Sequence, residues 1–330
     1  MKIFSANTLI LLILLSLNTF CAKQETNWDK WGADDQIGTL NYITPGVIKT
    51  AATLVRTGRT YTLAIPLAEG QPSADRKLEH HMLDTGQGAR DNSSPGPRNP
   101  LWLQDWLSLP IHGTTHWDGL GHVFGEGKIY NGFDAEQSIT YKGALRNGME
   151  HTKDKIVSRG VLLDLVLYKG KNPLPSGMVI TPEDLEGAAR KQAVEFHTGD
   201  ILLIRTGWIN VWRQQPDGRE KFKGSQPGIG WAVSQWLKDR QIAAIAVDNL
   251  EAEVIPCEPE AAQRIGHPDF ERPIHYELIR NQGMMIGELF SFETLARACA
   301  EDGHYDFMFV AAPLHLPLAT GSPTNPQAIK

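Results

Sequence analysis

The chain has 330 residues, of which 41% are hydrophobic, 21% charged and 8% aromatic. That is ample core material for one large domain or two ordinary ones, and it excludes a disordered chain, collagen and a coiled coil. With 32 Lys and Arg against 38 Asp and Glu the net charge is −6, so no basic excess exists to neutralise phosphates and nucleic acid is not an expected partner. Cys21, Cys257 and Cys299 are too few for a disulfide scaffold and are not spaced as a zinc finger.

In chain order, residues 1–8 carry one lysine, residues 9–17 are almost wholly apolar, and Asn18-Thr19-Phe20-Cys21-Ala22 follows. An apolar run of that length is too short to span a bilayer and suits a signal peptide. Residues 1–22 are therefore expected to be a leader and the protein to be exported, periplasmic or secreted. Cys21 is a candidate lipid anchor, although Phe20 is large where lipoprotein signals carry a small residue. Nothing later in the chain reads as a membrane span. Residues 23–330 read as a single catalytic domain with an irregular N-terminal layer. Thr44-Pro45 predicts a capped helix with Val47, Ile48, Ala51, Leu54 and Val55 on its apolar face and Gly58 at its end. Residues 61–66 read as a strand, and residues 70–100 as a long polar, turn-rich loop. From Val157 onward strands and helices alternate. Strands are expected at 161–167, 201–204, 242–247, 284–289 and 307–311, with helices from Thr181-Pro182, at 231–240, 273–281 and 292–300. This is the pattern of an α/β fold with a largely buried sheet. No Gly-rich phosphate loop follows any strand.

The chemistry concentrates in Ile111-His112-Gly113-Thr114-Thr115-His116-Trp117-Asp118-Gly119-Leu120-Gly121-His122, in a chain with only 11 histidines. The threonines and glycine disfavour a helix, and Leu107-Ser108-Leu109 before it reads as a strand. Side chains alternate in extended backbone, so the even-numbered His112, His116 and Asp118 are expected to project together. Gly119 and Gly121 would then turn the chain and return His122 over the site. Two imidazoles and a carboxylate suit zinc, manganese or iron, and three such ligands leave room for water. His122 reads as a general base or acid rather than a ligand. His275 on the helix at 273–281 and Glu288 at the end of an apolar strand form a second candidate cluster. A structural ion pair is the alternative for Glu288.

These residues carry a resemblance. The spacing His112-x3-His116-x-Asp118-x3-His122 is similar to the signature of the metal-dependent cyclase family, which includes bacterial kynurenine formamidase and isatin hydrolase. Trp31-Gly32-x2-Asp35-x2-Gly38-Thr39-Leu40-Asn41, Arg205-Thr206-Gly207-Trp208, the pair His275 and Glu288, and Gly321-Ser322-Pro323-x-Asn325-Pro326 resemble further family segments, so nearly the whole mature chain is covered. The chain departs from the pattern at Thr114 and Leu120, where the family has Gly and Pro, and in setting the late His and Glu about one residue farther apart. The longer N-terminal region suggests a larger-chain branch. The resemblance implies a swivelling β/β/α-type α/β domain with a mixed sheet, and zinc or manganese at one or two ions per subunit. It implies His112, His116 and Asp118 on one metal, Asp118 and Glu288 bridging to a second held by His275, and His122 moving the proton. It further implies a homo-oligomer, at least a dimer. The expected reaction is hydrolysis of a non-peptide C–N bond in an aryl formamide such as N-formyl-kynurenine or a cyclic amide such as isatin.

Trp31 and Trp117 are the favoured residues for stacking on an aryl substrate, among the candidates Trp28, Trp31, Trp102, Trp106 and Trp117. Asp248 is read as capping a turn or supporting the site. His267, His304 and His315 have no partners by spacing and read as structural. Two rivals stand beside the hydrolase. One is a non-haem iron dioxygenase, because His116-x-Asp118 plus a distant histidine also makes a facial triad. The other is an exported binding protein that holds a metal without catalysis.

Overall fold

Three runs of branched aliphatic residues form the centre of the molecule, because strands buried on both faces carry apolar side chains throughout. They belong to a nine-stranded mixed sheet seen in the computed structural model, which describes residues 26–67, 72, 78–83, 104–214 and 218–330. The expected leader with Cys21, most of the 70–100 loop, and Trp102 lie outside the described residues.

The strands are β1 (Thr60–Thr62), β2 (His116–Asp118), β3 (Val157–Asp164), β4 (Ile201–Arg205), β5 (Ala244–Val247), β6 (Met285–Glu288), β7 (Asp306–Val310), β8 (Gly321–Pro323) and β9 (Gln327–Ile329). Their order across the sheet is β1-β9-β7-β3-β4-β5-β6-β2-β8. β3, β4, β5 and β6 run parallel, and the strands on both sides are antiparallel. Leu202, Leu203, Ile204, Ile245 and Ile286 are fully buried, each worth about 1.5–3 kcal/mol of transfer free energy. The helices that cover the sheet include α1 (Pro45–Ala52), α2 (Pro182–Gln192), α3 (Trp231–Asp239) and α4 (Glu293–Asp302). Thr44 and Thr181 cap α1 and α2 as expected, Thr181 with Asp184 in a reciprocal capping box. No helix among the described residues is long and apolar enough to cross a membrane.

Several elements differ from their sequence reading, among them the strand expected at 61–66, which is Thr60–Thr62, and the expected 70–100 loop, part of which is the strand Glu79–Leu83. β3 stops at Asp164 rather than continuing to 167, because the Asp164 carboxylate accepts the Leu167 N–H at 2.9 Å and starts a short helix, Leu165–Lys169. The helix after Pro273 is α-helical only through His275 and then widens into a π-helix, Tyr276–Gln282. There Glu277 accepts from Asn281 at 2.7 Å and from Gln282 at 3.0 Å, side-chain bonds reaching four and five residues on. The C-terminal strands β8 and β9 had no periodicity long enough to be read.

The Arg205-Thr206-Gly207-Trp208 segment is a structural lock. Arg205 is 7% exposed and bonds both Asp164 oxygens at 2.9 and 3.0 Å, while its other face grips Glu293 at 2.8 and 3.2 Å. It ties β3, β4 and α4 at one point. Next to it, Asp248 accepts from the Thr206 N–H at 2.8 Å, the Thr206 hydroxyl at 2.6 Å and the Gly207 N–H at 2.7 Å. Asp248 therefore caps the turn after β4 and steers the chain leaving β5. Removing a buried cation strands the acids it served, so Arg205→Ala is expected to cost roughly 3–5 kcal/mol in urea unfolding. Parent-like stability of that variant would contradict the lock.

Candidate functional site

β2 lies between β6 and β8, antiparallel to both, with Glu288 and Pro323 opposite His116 and with Ile286 and Gly321 opposite Asp118. Alternation along β2 puts His116 and Asp118 on the face that carries Glu288, and Trp117 on the other. His116 Nδ1 donates to the Thr114 carbonyl at 2.7 Å, which leaves Nε2 as the nitrogen facing the site. That nitrogen is 3.1 Å from Asp118 Oδ1 and 3.8 Å from Glu288 Oε2.

His112 reaches the same point by a different route from the one expected. Residues 111–115 are turns rather than strand, with the Gly113 N–H bonded to the Pro110 carbonyl at 3.1 Å. Proline and glycine bend the chain and bring His112 Nε2 to 3.4 Å from Asp118 Oδ1. Gly321 makes the space, since a Cβ there would run into the His112 ring. The turn after β2 works as read: a Cβ on Gly119 would sit 2.5 Å from Met149 Sδ and 2.8 Å from the Thr320 carbonyl, and the His122 N–H bonds back to Gly119 at 3.0 Å. His122 then stacks on His112 with ring centroids 4.3 Å apart, its Nε2 3.9 Å from Asp118 Oδ1. Its side chain is 35% exposed, at the mouth.

The second cluster closes on the other side of Asp118. His275 Nε2 is 3.7 Å from Asp118 Oδ2, 3.1 Å from Glu288 Oε1 and 3.8 Å from Glu251 Oε2. Its Nδ1 is bonded to Glu253 at 2.6 Å, and Glu253 also accepts the backbone N–H groups of Ile274 and His275. A carboxylate behind an imidazole fixes the ring and its tautomer. Glu288 is steadied by the Ala252 N–H at 2.7 Å. Asp118 thus presents one oxygen to each group of imidazoles, and Glu288 does the same.

The electrostatics show what these residues fit. Burial alone would lower the pKa of His116, but Asp118 and Glu288 more than reverse it. Burial also opposes a charged His275, yet Glu253 and Glu288 hold its pKa well above the ordinary imidazole value. Burial and the Asp118 charge push Glu288 up to about 7, against the pull of His275. Asp118 is held far below the usual carboxylate range in spite of burial, because His122, His116 and His112 surround it. Its Oδ1 is buried and accepts no well-directed hydrogen bond among the described residues. Three sets, His112-Asp118-His122, His116-Asp118-Glu288 and Glu251-His275-Glu288, each present ligand atoms within 4.8 Å of one another. Neutral imidazoles around paired carboxylates are the donors a divalent transition metal takes, so the residues fit such an ion.

The site opens into a cavity of about 490 Å³, walled by Val123, Phe124, Leu250, Phe270 and Arg272. The Cyclase family model matches residues 61–254, more than half of the chain and including the whole 112–122 segment. The chain belongs to the cyclase family. A crystal structure of a novel cyclase is 39% identical, covering 93% of this chain and 98% of that one, with a TM-score of 0.83. Isatin hydrolase A from Ralstonia solanacearum (16% identity, 86% of this chain, 97% of that one, TM-score 0.59) shares the fold. So does isatin hydrolase A from Labrenzia aggregata bound to benzyl benzoate (17% identity, 82% and 93%, TM-score 0.57). No curated protein matches the chain.

All six residues singled out in the cyclase for metal and proton chemistry, His112, His116, Asp118, His122, His275 and Glu288, meet at this cavity. The two tryptophans do not. Trp117 is 0% exposed, donates its indole N–H to the Ala311 carbonyl at 2.9 Å and meets Phe290 edge-on, because its odd register turns it into the core. Trp31 packs edge-on against Tyr42 at 5.2 Å and is not part of the cavity wall. The aromatic walls are instead Phe124 and Phe270, which follow turns and carry no periodic signal. Glu251 and Glu253 were also not read from sequence; a Glu-x-Glu just beyond a fully apolar strand was the available cue. Gly321→Ala is expected to swing His112 away from Asp118 and to lower the melting temperature. A crystal structure of that variant with His112 undisplaced would refute this account of the glycine.

Proposed function

We propose that this cyclase-family protein is a metal-dependent hydrolase that cleaves the C–N bond of a small aryl formamide or cyclic aryl amide. The observation that carries the reading is the convergence of His112, His116 and His275 with Asp118 and Glu288 at the floor of one cavity. A divalent cation, zinc or manganese, would supply Lewis acidity there, lowering the pKa of water toward neutrality and polarising an amide carbonyl. His112, His116 and Asp118 would hold one ion, and His275 with Asp118 and Glu288 a second.

The remaining steps belong to the chain. His122 stands at the mouth with its ring plane set by stacking on His112, where it takes a proton from the attacking water and returns it to the departing nitrogen. Asp118 steadies the imidazolium formed between those two transfers. Phe124, Phe270, Val123 and Leu250 offer apolar walls to an aryl ring and exclude water from its faces. The likeness in fold to isatin hydrolases supports a cyclic amide among the substrates to be screened. The nine-stranded mixed sheet favours this reading over the dioxygenase rival, whose triad belongs to an all-β barrel, and over a binding protein with two hinged lobes. An exported protein acting as a homodimer remains part of the proposal.

His116→Ala is expected to lose bound metal and activity together, measured by elemental analysis and by turnover of N-formyl-kynurenine, isatin and simple lactams. His122→Ala is expected to keep its metal while kcat falls roughly 10²–10⁴-fold. Metal retained in full by His116→Ala would overturn the assignment. The pH dependence of metal binding has a definite sign. Glu288, with its pKa near 7, and His116 and His275, with raised values, hold protons that a cation must displace. Affinity should therefore rise as pH increases through about 7, with proton release seen as buffer-dependent heats in calorimetry. Binding that is flat from pH 6 to 8 would contradict this, on the scale of roughly one pH unit either side of that midpoint.

A further inference from the structure

Four carboxylates crowd His275: Asp118, Glu288, Glu253 and Glu251. Three have defined work. Asp118 and Glu288 each span the two imidazole groups, and Glu253 spends its oxygens on the His275 ring and on two backbone N–H groups. Glu251 is different. It is held on the opposite side by Arg272, with Oε2 2.9 Å from Nε and Oε1 3.1 Å from Nη2. The same Oε2 faces inward, 3.8 Å from His275 Nε2, and shares a compact donor set with Glu288. The side chains of Glu251 and Arg272 are only 21% and 31% exposed, so this pair sits in the cavity wall and not in open solvent.

We infer that Glu251 is an additional ligand of the cation held by His275, Asp118 and Glu288, and that Arg272 positions it. This rests on the metal-dependent reading above. The donor spacing supports it: oxygens of Glu288, Asp118 and Glu251 lie 3.1, 3.7 and 3.8 Å from one imidazole nitrogen. Ligands that share one ion at about 2.0–2.2 Å sit roughly 3–4 Å apart. The lone pairs of a carboxylate oxygen serve two partners at once, so Oε2 need not leave Arg272 to coordinate. Charge supports it as well. Glu251 brings a further negative charge to a cluster already holding three buried carboxylates, Asp118, Glu288 and Glu253. Arg272 offsets one of these charges, and a divalent ion beside His275 would offset more of them. The backbone fixes the arrangement, because the Ala252 N–H between the two glutamates is itself bonded to Glu288.

The test is calorimetric titration of the metal-stripped full-length protein with Mn²⁺ and with Zn²⁺, with bound metal counted after gel filtration. The parent is expected to take up two equivalents. Glu251→Gln keeps a side chain of the same size near Arg272 but weakens the ligand, and should retain the first equivalent while the second binds at least about tenfold more weakly, the lower end of what losing a group that supports a metal site typically costs. Glu251→Asp keeps the charge, shortens the reach and should show the same loss, which guards against a folding artefact in either variant. Arg272→Met, which frees Glu251 from its anchor, should weaken the second equivalent but not the first, whereas Glu271→Gln, which removes a nearby acid that offers no ligand, should bind two as the parent does. Unchanged affinity for the second ion in both Glu251 variants would overturn the inference, as would a parent that binds a single equivalent. A parent that binds no metal would instead overturn the hydrolase reading itself.

Discussion

A buried carboxylate ringed by imidazoles is the constraint around which this cyclase is built. Asp118 sits at 1% exposure on a three-residue strand, with His112, His116 and His122 on one oxygen and His275 on the other. An isolated carboxylate in such a place is costly to desolvate. Unit charges about 4 Å apart gain only about 4 kcal/mol at an effective dielectric of 20, so the group tolerates burial only because several partners act together. The same crowding raises the pKa values of Glu288, His116 and His275. Those raised values mark where a cation belongs.

The frame that holds Asp118 is rigid because it is a sheet interior. β2 is too short to be stable alone, yet its three residues pair on both sides, with β6 and β8. β6 in turn continues the parallel run of β3, β4 and β5, whose central side chains are apolar and whose edge at Asp164 is locked by Arg205. Trp117 illustrates the economy of that arrangement. Its neighbours in sequence face the cavity, while its indole fills the core behind them and lies over Gly287, where a Cβ would come within 2.8 Å of it. One strand therefore supplies the chemistry on one face and its mechanical support on the other.

Second-cluster residues come from three separate pieces of chain. His275 lies at the junction of an α-helical turn and a π-helix, Glu288 ends β6, and the Glu251–Glu253 segment leaves β5 after the turn that Asp248 helps to shape. Their hydrogen bonds are reciprocal: Glu253 orients His275, and Ala252 orients Glu288. A shift in any one would disturb the other two, which is how groups far apart in sequence hold a spacing of a few ångströms.

The sequence by itself determined the local matters. Apolar runs marked the central strands, Thr-Pro pairs marked α1 and α2, and period-two alternation put His116 and Asp118 on one face with Trp117 opposed. Glycines at 119 and 121 announced the turn that returns His122. These signals are legible because each depends on neighbouring residues and fixed backbone geometry. Only the tertiary structure decided that Trp117 is core and Trp31 stands away from the cavity, that His112 arrives through a turn with Gly321 making room, and that Glu251, Glu253, Phe124 and Phe270 surround the site. Those facts arise from β6 and β8 lying beside β2, contacts between segments far apart in the chain, with no local periodicity to record them.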